Sequence, residues 1–185
     1  MKKELASLEL YYLIKEFQQF IGSKVDQIYQ KDKNEFTFQM HKTNFGKFMI
    51  KVNLPSLIYI TKYKGQQPSV PPGFCTFLRK RLKNARLKEI QQLDFERIVQ
   101  FTFTTKEDEY YLIVELFAEG NVILCNKEMK IISLILAQKW KERTLRGGVD
   151  YVYPKRNIKL NDKDFILNTI EKSEKSSIVK TLATE

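Results

Sequence analysis

Hydrophobic residues recur along this chain with two different periods, and the switches between them outline its elements. From Ser7 to Phe20, and on to Ile21, the apolar positions Leu10, Leu13, Ile14, Phe17, Phe20 and Ile21 lie mostly three or four apart, a spacing that gathers side chains on one helix face. Gly22 stands where that helix should end. The period then drops to two. VDQIYQ, EFTFQMH, KFMIKV and LIYITKY are short aromatic and branched runs parted by K-D-K-N and N-F-G breaks, which predicts an antiparallel meander. Alternation such as Glu35-Phe36-Thr37-Phe38-Gln39-Met40 gives each strand one buried face.

Three prolines within GQQPSVPPGF interrupt the pairing. Phe74, Phe77, Leu78 and Leu82 then return to helical spacing, predicting a second helix from Phe74 to about Asn84. RLKEIQQL, RIVQFTFT, YYLIVELF, NVILCN and IISLILAQ follow as strands, with turns at Lys106 to Glu109 and at Glu119-Gly120-Asn121. One stretch departs from the pattern. In QLDFERIVQF, Glu96 and Arg97 stand side by side at the mouth of a strand. Neighbours within a ladder face opposite sides, so both can reach outward only from a turn, for which Asp94 is suited.

From Gly147, GGVDYVYPKRN reads as a connection, placing a domain boundary near Asn157. Residues 158–185 give one amphipathic helix capped by Asn161 or Asp162 and the start of another. Such a pair cannot bury its apolar face alone, so it must either pack back on the main domain or belong to a longer protein, of which the chain is expected to be a piece. The expected fold is α+β, a two-layer antiparallel β-sandwich with the two helices at its ends or edges.

Charge narrows the partner class. The net charge is +10 at pH 7, which favours a polyanion because Lys and Arg displace counterions from phosphates. In LRKRLKNARLK, the cations Arg79, Lys80, Arg81, Lys83, Arg86 and Lys88 run without an acid until Glu89. On a helix, Arg79, Lys83 and Arg86 would form one stripe flanked by Lys80, a self-repelling face suited to a nucleic-acid backbone.

Other chemistry is sparse. The single His41 has no Cys or His companion at ligand spacing, so no metal is expected. No P-loop, G-x-S-x-G or dinucleotide fingerprint occurs, so neither a cofactor nor a small-molecule substrate is expected. Cys75 and Cys125 lie far apart in apolar surroundings, as in a reducing compartment. MKKELASLEL lacks a signal-peptide core and no run is long enough for a membrane span. A cytoplasmic protein that is not an enzyme and does not engage a membrane is expected.

SLELYYLIKEF, PPGFCTFLRKRLKNARLKEIQQLDFERIVQF, LIVELFAEGNVILCN and GGVDYVYPKRN, in this order, resemble the NFACT-N domain of the NEMF/RqcH family of ribosome quality control factors, in its archaeal or eukaryotic form. The resemblance implies a fold similar to the N-terminal domain of formamidopyrimidine DNA glycosylases, followed by a helical domain of helix-hairpin-helix type. It also implies tRNA and a large ribosomal subunit carrying peptidyl-tRNA as partners, with charged tRNA recruited for mRNA-independent tailing of the stalled chain. The family's acid-Arg pair, usually Asp-Arg, falls on Glu96 and Arg97, and a family aspartate of the first helix falls on Glu9. Two rivals attach to the resemblance. A base-excision enzyme should carry proline after the initiator Met, where this sequence has Met1-Lys2-Lys3; a fibronectin-binding adhesin should carry an export signal.

Overall fold

The computed structural model describes residues 3–154, 167 and 171. The chain divides into two compact units, Met1–Tyr151 and Val152–Glu185, and the architecture below is that of the first. The boundary expected near Asn157 and the helix expected after Asn161 or Asp162 lie outside the described residues.

The first amphipathic run folds as helix α1 (Ser7–Phe17), continued by a 3₁₀ turn at Gln18–Phe20. A four-strand meander follows: β1 (Lys24–Gln30), β2 (Glu35–Lys42), β3 (Gly46–Asn53) and β4 (Leu57–Thr61). Helix α2 (Gly73–Leu82) leads into β5 (Arg86–Gln92), β6 (Ile98–Thr104), β7 (Glu109–Glu115), β8 (Asn121–Asn126) and β9 (Ile131–Leu134).

The two expected layers are halves of one antiparallel sheet, ordered β4-β3-β2-β1-β5-β6-β7-β8-β9. A single residue pair, Lys24 with Arg86, joins β1 to β5 in register. Around it the chain crosses by Val25 N–H to Ala85 O (3.0 Å) and Leu87 N–H to Ser23 O (2.8 Å). So narrow a seam lets the halves share one core. Phe36, Met40, Ile50 and Val52 of the first half join Leu87, Val99, Phe103 and Leu112 of the second in a single cluster with Leu10, Phe17, Leu78 and Leu82 of the helices. The helices were expected at the ends or edges of the sandwich. They lie instead against its middle strands, α1 on β5 and α2 on β1, where their apolar stripes close the core beside the seam.

β6 is buried on both faces. Its reverse face continues through Ile98, Ile113, Ile123, Cys125 and Ile131, all buried outside the main cluster. The segment after β9 covers it, with buried Leu145 and Tyr151. The single strand expected over IISLILAQ breaks because the side chain of Asn121 brackets Leu136, donating to its carbonyl (2.8 Å) and accepting from its N–H (3.1 Å). The chain leaves β8 there and forms a separate hairpin, β10 (Gln138–Lys139) and β11 (Thr144–Leu145).

Candidate nucleic-acid interface

Asp94 and Phe95 join β5 to β6 with φ of 47° and 58°, the doubly left-handed geometry of a type I′ turn. Leu93 N–H donates to Ile98 O (3.1 Å) and Glu96 N–H to Leu93 O (2.8 Å). Asp94 tolerates this backbone, whereas a bulky Phe95 strains there. The turn sends Asp94 and Phe95 outward and leaves Glu96 and Arg97 half-buried just behind them.

The pair is tied to α1. Gln92 Nε2 donates both to Ser7 O (3.0 Å), the first residue of α1, and to Glu96 O (2.8 Å). Arg97 forms an ion pair with Glu4, ahead of the helix, and its carbonyl accepts from Leu116 N–H (2.7 Å). The carboxylate of Glu9 reaches back to Ala6 N–H (2.8 Å), half of a capping box on a helix whose N-cap alanine has no side-chain oxygen to offer. Glu9, Glu96 and Arg97 therefore belong to one corner of the molecule, where the start of α1 meets the tip of the β5–β6 hairpin. A groove of about 370 Å³ adjoins it, walled by Tyr11, Lys15, Gln92 and Phe95. Sequence reasoning missed Glu4, Gln92 and Phe95; the bulky residue inside an otherwise polar turn was the available signal for Phe95.

The basic run does not form one helical stripe. α2 stops at Leu82, because Asn84 turns left-handed (φ 64°) and gives its N–H to Val25 O (2.9 Å). Lys83 falls on the cap, while Arg86 and Lys88 belong to β5. Their environments differ. Arg79 is half-buried, donating from Nε to Ile28 O (2.6 Å) with its guanidinium 5.5 Å from the Tyr29 ring. Arg86 donates to Gly22 O (2.9 Å). Lys88 pairs with Glu109 at 2.7 Å, which raises the lysine pKa and lowers the carboxyl's. Lys80 and Lys83 are exposed and pair with no acid among the described residues. Cations here also complement the carbonyl end of α2. Of the residues expected to contact a nucleic-acid backbone, Lys80 and Lys83 are the exposed ones whose side chains make no ion pair or carbonyl bond among the described residues.

A charged cluster that sequence reasoning overlooked lies under the reverse face. Glu115 is 2% exposed, forms an ion pair with Arg143, and accepts from the Tyr151 hydroxyl at 2.6 Å. Arg143 also lies over the rings of Trp140 and Tyr151, at 5.5 and 5.0 Å. An acid closing the buried run YYLIVE was the signal for it. Both cysteines are buried, and burial pushes the Cys125 thiol up to about 12. Among the described residues no cluster of His, Cys, Asp and Glu could hold a metal ion, and no helix is long and apolar enough to cross a membrane.

Residues 7–185 match the family model for NFACT N-terminal and middle domains. The archaeal Rqc2 homolog aRqcH of Methanocaldococcus jannaschii is 32% identical over 159 residues, covering 83% of this chain and 24% of that protein. The ribosome quality control complex subunit NEMF homolog of Drosophila melanogaster is 31% identical over 173 residues, covering 93% of this chain and 17% of that one. The chain thus spans about a quarter or less of the length of these relatives. Among solved structures, the N-terminal part of the fibronectin/fibrinogen-binding protein of Streptococcus suis superposes with a TM-score of 0.77 at 26% identity, covering 83% of this chain and 62% of that one.

Proposed function

Because the chain belongs to the family of NFACT N-terminal and middle domains, we propose that it is the amino-terminal module of a cytoplasmic ribosome quality control factor. It binds tRNA and the large ribosomal subunit and performs no reaction itself. The whole protein engages a large subunit blocked by peptidyl-tRNA and recruits charged tRNA, so that the stalled chain is extended without mRNA. The names of the relatives, Rqc2 homolog and ribosome quality control complex subunit, support the general role.

The observation that carries the tRNA reading is the corner joining α1 to the β5–β6 hairpin. Glu4, Glu9, Asp94 and Glu96 outnumber Arg97 and the nearby Lys15 there, which makes the corner a poor place for a phosphate. The groups that acids fit are donors on the edge of an unpaired base, the part of RNA through which sequence is usually read. Arg97 adds a planar fork able to stack on a base or grip an oxygen. Phosphates meet Lys80 and Lys83 instead. Charge thus divides the surface into a part that holds the backbone and a part that reads.

The test is to sequence RNA that copurifies with the chain and with its Arg97→Ala and Glu96→Ala variants. The parent should enrich tRNA, and each variant should lose it. Arg97 and Glu4 are 25% and 55% exposed, so their ion pair is worth about 0 to 1 kcal/mol, a melting shift of at most about 4 °C at this size. Variants that keep parental tRNA, or that melt far lower, would make the pair architectural. Nicking of duplex DNA carrying a damaged base would favour the glycosylase reading.

A further inference from the structure

We propose that the β10–β11 hairpin is a second RNA-binding element, on which Trp140 stacks an unpaired base while Lys139, Lys141 and Arg146 hold the flanking phosphates. Trp140 is the chain's only tryptophan and is 40% exposed at the hairpin's turn, where its backbone N–H donates to Arg143 O (2.7 Å). An indole half in water and half against protein is the kind of side chain enriched at binding interfaces. Lys139, Lys141 and Arg146 are exposed and pair with no acid among the described residues. Glu142 is the one acid of segment 138–146. A cleft of about 380 Å³ runs along the hairpin, with Lys139 and Arg146 in its wall. An aromatic flanked by unpaired cations beside a cleft is the composition of a single-strand binding surface, where cations follow the backbone and a ring takes any base face.

The hairpin's anchoring points the same way. Strands of two residues each cannot hold a hairpin in water unaided. This one is held by Arg143, whose guanidinium joins buried Glu115 and lies over the Trp140 ring. Burying such a pair carries a large desolvation cost and adds little to stability compared with apolar side chains. What it provides is a fixed tip, with the indole set against a cation and still 40% exposed. Charge decides between occupants: the exposed cations outnumber the acid, which suits a polyanion better than a neutral peptide groove.

The inference rests on the proposed function only in taking RNA as the partner. A lone tryptophan at the site supplies the readout. Titrating the 185-residue chain with a 12-nucleotide oligoadenylate should quench Trp140 emission, with an affinity that falls as salt rises. Trp140→Ala, assayed by filter retention of labelled oligoadenylate, should bind about five- to 150-fold more weakly, and Trp140→Tyr should recover most of the loss. Lys139→Glu with Arg146→Glu should weaken binding and flatten its salt dependence. Emission unchanged at saturating RNA, or Trp140→Ala binding like the parent, overturns the hairpin site. If tRNA is still lost on Arg97→Ala in that case, the proposed function stands without it, whereas a parent chain that retains no RNA sinks both. Quenching by polyglutamate but not by oligoadenylate assigns the hairpin to an acidic protein and overturns the proposal.

Discussion

Replacing Arg143 by Met separates what the buried ion pair does for stability from what it does for position. Glu115 is 2% exposed and sits inside the ladder, opposite Ile98 on β6 and Asn121 on β8, so its backbone cannot swing toward water. In the variant it keeps the Tyr151 hydroxyl at 2.6 Å but loses its countercharge. Removing one partner of a buried pair costs about 3 to 5 kcal/mol. At about 2 to 4 °C per kcal/mol for a protein of this size, melting should fall by roughly 6 to 20 °C. Glu115→Leu with Arg143→Met removes both charges and should recover most of that, leaving about 1 kcal/mol for the hydrogen bond that the tyrosine hydroxyl made to Glu115. Urea titrations followed by far-ultraviolet circular dichroism are the assay, since emission from Trp140 would report the local loss of Arg143. A single variant within about 1 kcal/mol of the parent, or a double variant no more stable than the single, would refute the reasoning. The first result would mean that the pair is effectively solvated, the second that Arg143 stabilises through its packing rather than its charge.

The remaining predictions concern the basic run, a tight turn and acid stability. Lys80→Glu and Lys83→Glu should each lower the log-log salt slope of RNA binding by about 0.7 to 0.9 with melting unchanged; Arg79→Glu should lower the melting temperature, since it breaks the Nε bond to Ile28 O. Gly120 has φ of 74°, and a Cβ there would lie 2.8 Å from Leu54 Cβ and 2.9 Å from Pro55 Cα, so Gly120→Ala should cost about 2 to 5 kcal/mol from strain and overlap together in a urea titration. Asp26 accepts from Gln39 at 2.6 Å and pairs with Lys47 at 3.0 Å, which hold its carboxyl below the usual range. Its folded pKa lies below the unfolded one, so its contribution is complete above the unfolded value and is lost as pH falls through the folded value. Asp26→Asn should therefore shrink the loss of stability between pH 5 and 3, and an unchanged acid limb would sink the assignment.

Periodicity along the chain was enough to determine the two helices, most of the strands and the fold class, because side-chain alternation is a local consequence of burying one face. The turn at Asp94 was also legible locally: two adjacent charges cannot both face outward within a ladder, and Asp suits a reversal. The end of α2 was not, because Lys83 and Arg86 keep helical spacing on paper. What stops the helix is a bond from Asn84 to Val25 O, nearly sixty residues earlier. Nor could one strand show that its reverse face would also be covered. That depends on Asn121 turning the chain at Leu136 and on Arg143 returning to Glu115. The sequence by itself therefore determined what each segment is. Tertiary structure decided which charges are spent inside and which are left for a partner, because that depends on neighbours distant along the chain.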